Sequence, residues 1–460
     1  MRQINLLNIL TRIFSTKLFF IHIALVLLQA SLIFCSFKAV ALQIINDEEV
    51  EATIKQMAIP IILAAGIQPE EIRFYLVLDP SINAFVYGGR NIFINTGLIT
   101  LFNDPDVLKG VIAHELGHIT GAHIARREEQ IKRLMPQFIF TNLLGVAAAL
   151  TGAGSVGGAI MHGSSHTLER SMLRNSRESE SSADQAAFRY LYHSHNSING
   201  LLKLLQYFYQ ASKTFDQNNQ YAQTHPVSNE RITALKYYEA KFPDNYQSSL
   251  QEKKDYGLVV AKLRGFVNQV NTILQYNQHD LDEEARKYEL TIALFRKANM
   301  NAALVKINEL ITHEPQNPYF YELKGQILFE SGRVSESVAI YKTAVKLAPK
   351  AYLIKLEYAI ALINYATRKQ SLELNEAIAI LHSVAYKQPD NPLVYHNLAI
   401  AYGKLEKLDY SNLMLAQEAV LQNNYTEAKK FIYNAKKYAT NNKKMLLKIE
   451  DVEKLMDHDN

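Results

Sequence analysis

His114 and His118 stand four residues apart in Ala113-His114-Glu115-Leu116-Gly117-His118. On a helix that spacing puts both imidazoles on one face, about 5–6 Å apart, where they can converge on one zinc ion. Glu115 lies on the adjoining part of the turn. It can take a proton from a zinc-activated water instead of binding the metal, which is the task of a general base in a hydrolase. A catalytic zinc also needs a third protein ligand and an open position. Glu180 is the candidate, at the head of Glu180-Ser181-Ser182-Ala183-Asp184, 62 residues after His118. Asp184 shares its helix face, so one carboxylate can bind metal while the other orients a ligand imidazole. The expectation is one zinc per chain, on His114, His118 and Glu180.

Positioning these groups takes particular elements. Residues 42–68 read as a helix, and IRFYLVLD, NAFVYG and RNIFINTG as short strands, the second and third joined through Gly88-Gly89 as a hairpin. Helical periodicity returns over 105–134, carrying the histidine pair, and again over about 170–213 and 228–242. Between the two ligand helices, residues 134–161 are apolar and rich in Gly and Ala. Such a segment suits a lid or a surface that touches lipid or unfolded chain, with a buried helix pair as the alternative. Its glycines argue against a membrane-spanning helix.

The 460 residues allow about three structural units, and 48% hydrophobic with 20% charged residues excludes intrinsic disorder. The formal charge of +4 comes from Arg2, Arg12, Lys17 and Lys38, in a leader without acidic residues. The rest of the chain is formally neutral and has no basic footprint for nucleic acid. That leader continues through an apolar run at 18–37 to Ala39-Val40-Ala41. It reads as a signal peptide, 1–41, cut after Ala41; an uncleaved anchor is the alternative. The one cysteine, Cys35, lies in it, so the exported chain has neither an intramolecular disulfide nor a thiol nucleophile.

From Asp280 on, the pattern is amphipathic helices with a repeat. Pro315 and Pro349 are 34 residues apart, and Pro389 follows after 40. Twelve residues before each stand the small Ala303, Ser337 and Ala377; eight before, the large Ile307, Tyr341 and Leu381. Gly325, Tyr402, Ala428 and Ala435 extend a period that resembles tetratricopeptide repeats, whose concave surface receives partners. The expected division is a metallopeptidase domain at 42–250, a linking helix at 251–279 and repeats at 280–460. Because no ligand cluster lies beyond 280, a chain ending near Lys253 is expected to keep the metal.

HExxH followed by ExxAD, and preceded by INAFVYGGRNIFINTGLI, resembles the membrane-associated gluzincin family that includes the CAAX prenyl protease and HtpX. With the leader and repeats, the chain is similar to the BepA-type periplasmic chaperone-proteases. The resemblance implies an α+β zincin-like metalloprotease domain, mostly helical with a small sheet, followed by an all-α repeat solenoid. It implies a zinc endopeptidase in outer-membrane protein quality control, with Glu115 as general base. Misfolded or stalled outer-membrane proteins are the implied substrates, and the outer-membrane assembly machinery the partner of the repeats. The alternative function is a chaperone or scaffold with little peptidase activity. His123 matches a frequent histidine of the family, but five residues from His118 it is rotated off the helix face and reads as structural. A histidine-proline followed by arginine also occurs in the family, and the resemblance implies that His225 and Arg231 line the cleft; a bystander loop histidine is the alternative. His225 is either an oxyanion donor or a fourth zinc ligand that restrains the enzyme. The apolar segment 134–161 and the polar run before His225 favour the second.

Overall fold

The computed structural model describes residues 42–123, part of 124–141, 176–213, 221, 224–275, 280–367, 371–440 and 442–457. The leader with its cleavage site after Ala41, and nearly all of 134–161, lie outside the described residues. No described helix is long and apolar enough to cross a membrane.

After a two-residue strand β1 (Ile44–Ile45), the Asp47 carboxylate accepts from Val50 N and starts helix α1 (Glu48–Ala64), the favoured chemistry for an N-cap. Strands β2 (Arg73–Val77), β3 (Ala84–Tyr87) and β4 (Asn91–Asn95) follow within the three β-rich runs. β2 runs parallel to β4 with Arg73 opposite Asn91, and β3 antiparallel to β4 with Ala84 opposite Ile94. The order β1-β2-β4-β3 leaves β3 at an edge. Gly88 and Gly89 close the hairpin at φ 63° and 95°, values that glycine adopts without strain.

Helix α2 (Thr96–Leu101) leads to α3 (Pro105–Thr120), which Asp104 caps and Pro105 opens. The helix expected over 105–134 is interrupted: α3 ends at Thr120, Ala122 adopts φ 51°, and helical residues resume at His123. Then come α4 (176–193), α5 (Asn199–Ser212), α6 (Asn229–Glu239), α7 (Leu250–Val267) and α8 (Val270–Gln275). The repeat helices are α9 (Glu283–Arg296), α10 (Met300–His313), α11 (Pro318–Glu330), α12 (Val334–Leu347), α13 (Tyr352–Tyr365), α14 (Ser371–Lys387), α15 (Pro392–Lys404), α16 (Leu408–Leu421), α17 (Tyr425–Tyr438) and α18 (Lys443–Asp457). Ala303, Ser337, Ala377, Ala428 and Ala435 are fully buried where paired helices meet. At Gly325 a Cβ would fall 2.8 Å from the Tyr341 ring, so the small and large positions interlock as the repeat pattern requires. The fold is α+β, mostly helical with one small sheet, followed by helical repeats.

The boundaries expected from sequence do not coincide with breaks in packing. One apolar core runs from Val50 through Ile327 and includes Tyr256, Leu258–Ala261 and Leu263 of α7. A second begins at Tyr341. The expected linking helix is thus two helices, the first embedded in the shared core, so a chain ending at Lys253 would lose part of that core. A buried charge cluster fastens the same junction. Lys262 Nζ lies 2.9 Å from Asp47, 3.4 Å from Glu49 and 3.3 Å from Glu322. Tyr288 OH donates to Glu49 (2.9 Å), Leu353 N to Glu48 (2.8 Å) and Tyr352 OH to Glu51 (3.0 Å).

Candidate metal centre

Every residue of α3 from Pro105 to His118 is buried, so the histidine pair sits inside the domain. α4 approaches so closely that a Cβ at Gly117 would lie 2.8 Å from the Ala183 carbonyl oxygen. That proximity lets Glu180 reach across. Ser228 caps α6, and the residues just before it turn His225 into the same space.

The four side chains meet with close, regular separations. His114 Nε2 is 3.1 Å from His118 Nε2, 3.2 Å from Glu180 Oε2 and 3.4 Å from His225 Nδ1. His118 Nε2 is 3.3 Å and His225 Nδ1 3.2 Å from Glu180 Oε1. Donors about 2.0–2.1 Å from one tetrahedral ion stand about 3.3–3.4 Å apart, which is close to the spacing seen. One ligand atom from each of His114, His118, Glu180 and His225 lies within 4.8 Å of all the others, and all four residues are buried. Three imidazoles and a carboxylate so arranged fit a single metal ion.

Around this set, Asp184 and Arg231 form a support. Arg231 grips Asp184 with Nε and Nη2 at 2.7 and 2.8 Å, reaches Glu180 Oε2 at 2.9 Å and donates to the Pro226 carbonyl at 2.9 Å. Asp184 Oδ1 also lies 3.0 Å from His114 Nδ1, off the line of a well-aligned hydrogen bond. Arg231, expected to line the cleft, is therefore occupied by carboxylates. His225 Nε2 approaches the Ala84 carbonyl of edge strand β3 (3.3 Å) and Glu115 Oε1 (3.5 Å).

Electrostatics follow from burial and neighbours. Burial opposes charge on Glu180 and Asp184, yet both titrate below their ordinary range. His225, with hydrogen bonds from His114 and His118, outweighs burial for Glu180, and Arg231 does so for Asp184. Burial likewise disfavours the His114 imidazolium, but Asp184 and Glu180 overcome it and raise the group to about 9. His118, with weaker carboxylate support, is pushed by burial down to about 4. Burial raises Glu115, whose Oε1 is without a hydrogen-bond partner; that is the condition of a carboxylate suited to take up a proton.

Two neighbours were not legible as parts of the centre. Tyr221 is fully buried and stacks on the His225 ring at 4.6 Å; an aromatic four residues before His225 was the only signal. His123, read as structural, places Nδ1 3.0 Å from His118 Nδ1.

A small sheet beneath a histidine-bearing helix, with a buried donor set and a buried glutamate beside it, is the arrangement of a metallopeptidase. Residues 45–239 match the model of Peptidase family M48, and the chain is a metalloendopeptidase carrying that domain. Over most of its length it is homologous to beta-barrel assembly-enhancing proteases. It is 22% identical to that of Yersinia pestis over 362 residues, 77% of this chain and 72% of the relative. It is also 22% identical to that of Escherichia coli (strain K12), over 80% of this chain and 74% of the relative. Among solved structures, "MamA 41-end from Desulfovibrio magneticus RS-1" aligns at 17% identity and a TM-score of 0.30, covering 38% of this chain and 95% of that one.

Proposed function

We propose that the chain is a zinc-dependent endopeptidase of the periplasm, exported by residues 1–41, that acts in the quality control and assembly of outer-membrane β-barrel proteins. The observation that carries this reading is the meeting of His114, His118, Glu180 and His225 in one buried group beside Glu115, whose Oε1 has no hydrogen-bond partner. The names of the relatives support the choice of substrate. The repeats, from 283 on, are assigned to partner binding in the assembly machinery, and 134–161 to contact with a membrane surface or unfolded client.

In this mechanism His114, His118 and Glu180 would hold zinc, and the chemistry it would supply when bound is polarisation of the scissile carbonyl and acidification of water. Glu115 takes the proton of the attacking water and returns it to the departing amine as the C–N bond breaks. Asp184, fixed by Arg231, holds the His114 ring so that Nε2 faces the ion. His225 completes the donor set in the resting enzyme and must leave for water and substrate to enter. A restrained protease with chaperone-like repeats also accommodates the scaffold reading, since His225 keeps activity conditional.

The test is zinc content together with casein cleavage. Glu115→Gln should keep about one zinc and lose cleavage by at least about 10²-fold. His225→Ala should keep zinc and cleave faster than wild type. Cleavage by Glu115→Gln at the wild-type rate would overturn the mechanism, and a large fall in His225→Ala would reassign His225 to transition-state stabilisation.

A further inference from the structure

We propose that His123 is the positioning residue of His118: it accepts a hydrogen bond from His118 Nδ1–H and so fixes the tautomer and ring plane that aim His118 Nε2 at the metal. The proposal rests on the zinc reading above. It begins from an asymmetry between the two ligand histidines of α3. The Nδ1 atom of His114 faces Asp184, itself held by Arg231. His118 has no carboxylate on its Nδ1 side among the described contacts; there it meets His123 Nδ1 at 3.0 Å, with the rings nearly perpendicular at 81°.

Local backbone chemistry explains how a residue five positions on reaches back. Had α3 continued, His123 would point away from His118. Instead the helix stops at Thr120, and Ala122, at φ 51°, turns the chain so that His123 folds against the last turn. Gly121 leaves the ring its space: a Cβ there would fall 2.2 Å from His123 Nε2. His123 is only 7% exposed. It is not a fifth ligand, because it meets His118 through Nδ1, on the side of that ring away from the donor set, and among the described residues the group that can share an ion comprises His114, His118, Glu180 and His225. With the acceptor at Nδ1, the His123 proton sits on Nε2. His118 must then carry its own on Nδ1, leaving Nε2 free to donate to a cation.

The experiment uses the full-length chain, zinc as the only probe and two substitutions. His123→Leu keeps an apolar side chain without the acceptor; His123→Asn retains an acceptor near the Nδ1 position. Chelator competition should show zinc held 10- to 100-fold more weakly by His123→Leu and within about threefold of wild type by His123→Asn. In the zinc-loaded wild type, nitrogen NMR should show a slowly exchanging proton on His118 Nδ1, retained with Asn and lost with Leu. Equal affinity in wild type and His123→Leu would overturn the proposal, as would a loss in His123→Asn as large as in His123→Leu, which would assign His123 to shape alone. Failure of the wild type itself to load zinc would remove the metal reading and this inference with it, so the two failures are distinguishable.

Discussion

Two buried charge clusters in this molecule titrate in opposite directions. At the metal centre, Glu180 and Asp184 stay ionised because Arg231 and the histidines surround them. At the junction, Asp47, Glu49 and Glu322 crowd one lysine, and burial pushes Glu48 and Glu49 up to about 7 and Glu357 up to about 8. Burial is comparable in both, so the number of cations per carboxylate decides the sign. The centre keeps Glu180 and Asp184 charged across the neutral range, whereas the junction holds protons that it gives up as pH rises.

Both clusters belong to one folding unit if the shared core is indispensable. A chain ending at Lys253 removes most of α7 with Tyr256 and Leu258–Leu263, and should show no cooperative unfolding transition and no zinc binding. A folded, zinc-loaded fragment would break the comparison at its base. Next in size, Arg231→Met strands two ionised carboxylates and should cost about 3–5 kcal/mol, nearly the same at pH 5 and pH 8, as measured by urea unfolding of the metal-free chain. Lys262→Met should behave differently. Its cost at pH 8 should shrink at pH 5 by about 1 kcal/mol or more, because the junction carboxylates can take up protons there. A pH-independent cost would make the two clusters alike.

The smallest effect concerns Glu49. Its folded value of about 7 exceeds its ordinary 4.5, so between those values the folded chain keeps a proton that the unfolded chain has lost. The stability tied to that proton is full below about pH 4.5 and is lost as pH rises through about 7. Glu49→Gln, which retains an acceptor for Tyr288, should flatten the decline of stability over that window. An unchanged slope in denaturant titrations would refute the raised value.

Local order carried much of this in the sequence. The strands at 73–77, 84–87 and 91–95 follow from short runs rich in β-branched and aromatic residues, and the burial of Ala303, Ser337 and Ala377 from their fixed distance to the prolines. The His114–His118 pair was legible because four residues on a helix is a geometric statement by itself. The contact of His123 with His118 was not legible because the left-handed Ala122, at φ 51°, breaks the helix that the reading assumed. A buried Lys262 amid carboxylates leaves no trace in sequence, since its partners come from residues 47, 49 and 322.

Gly117 occupies a variable position of the HExxH pattern, yet here it acts as a calliper. With a methyl group in place of its hydrogen, the Ala183 carbonyl 2.8 Å away would have to retreat, carrying α4 and Glu180 outward while all the named ligands stayed in the sequence. In this chain the letters of the motif can survive intact while the site they describe is lost, because the gap between two helices is written at a position that the pattern leaves blank.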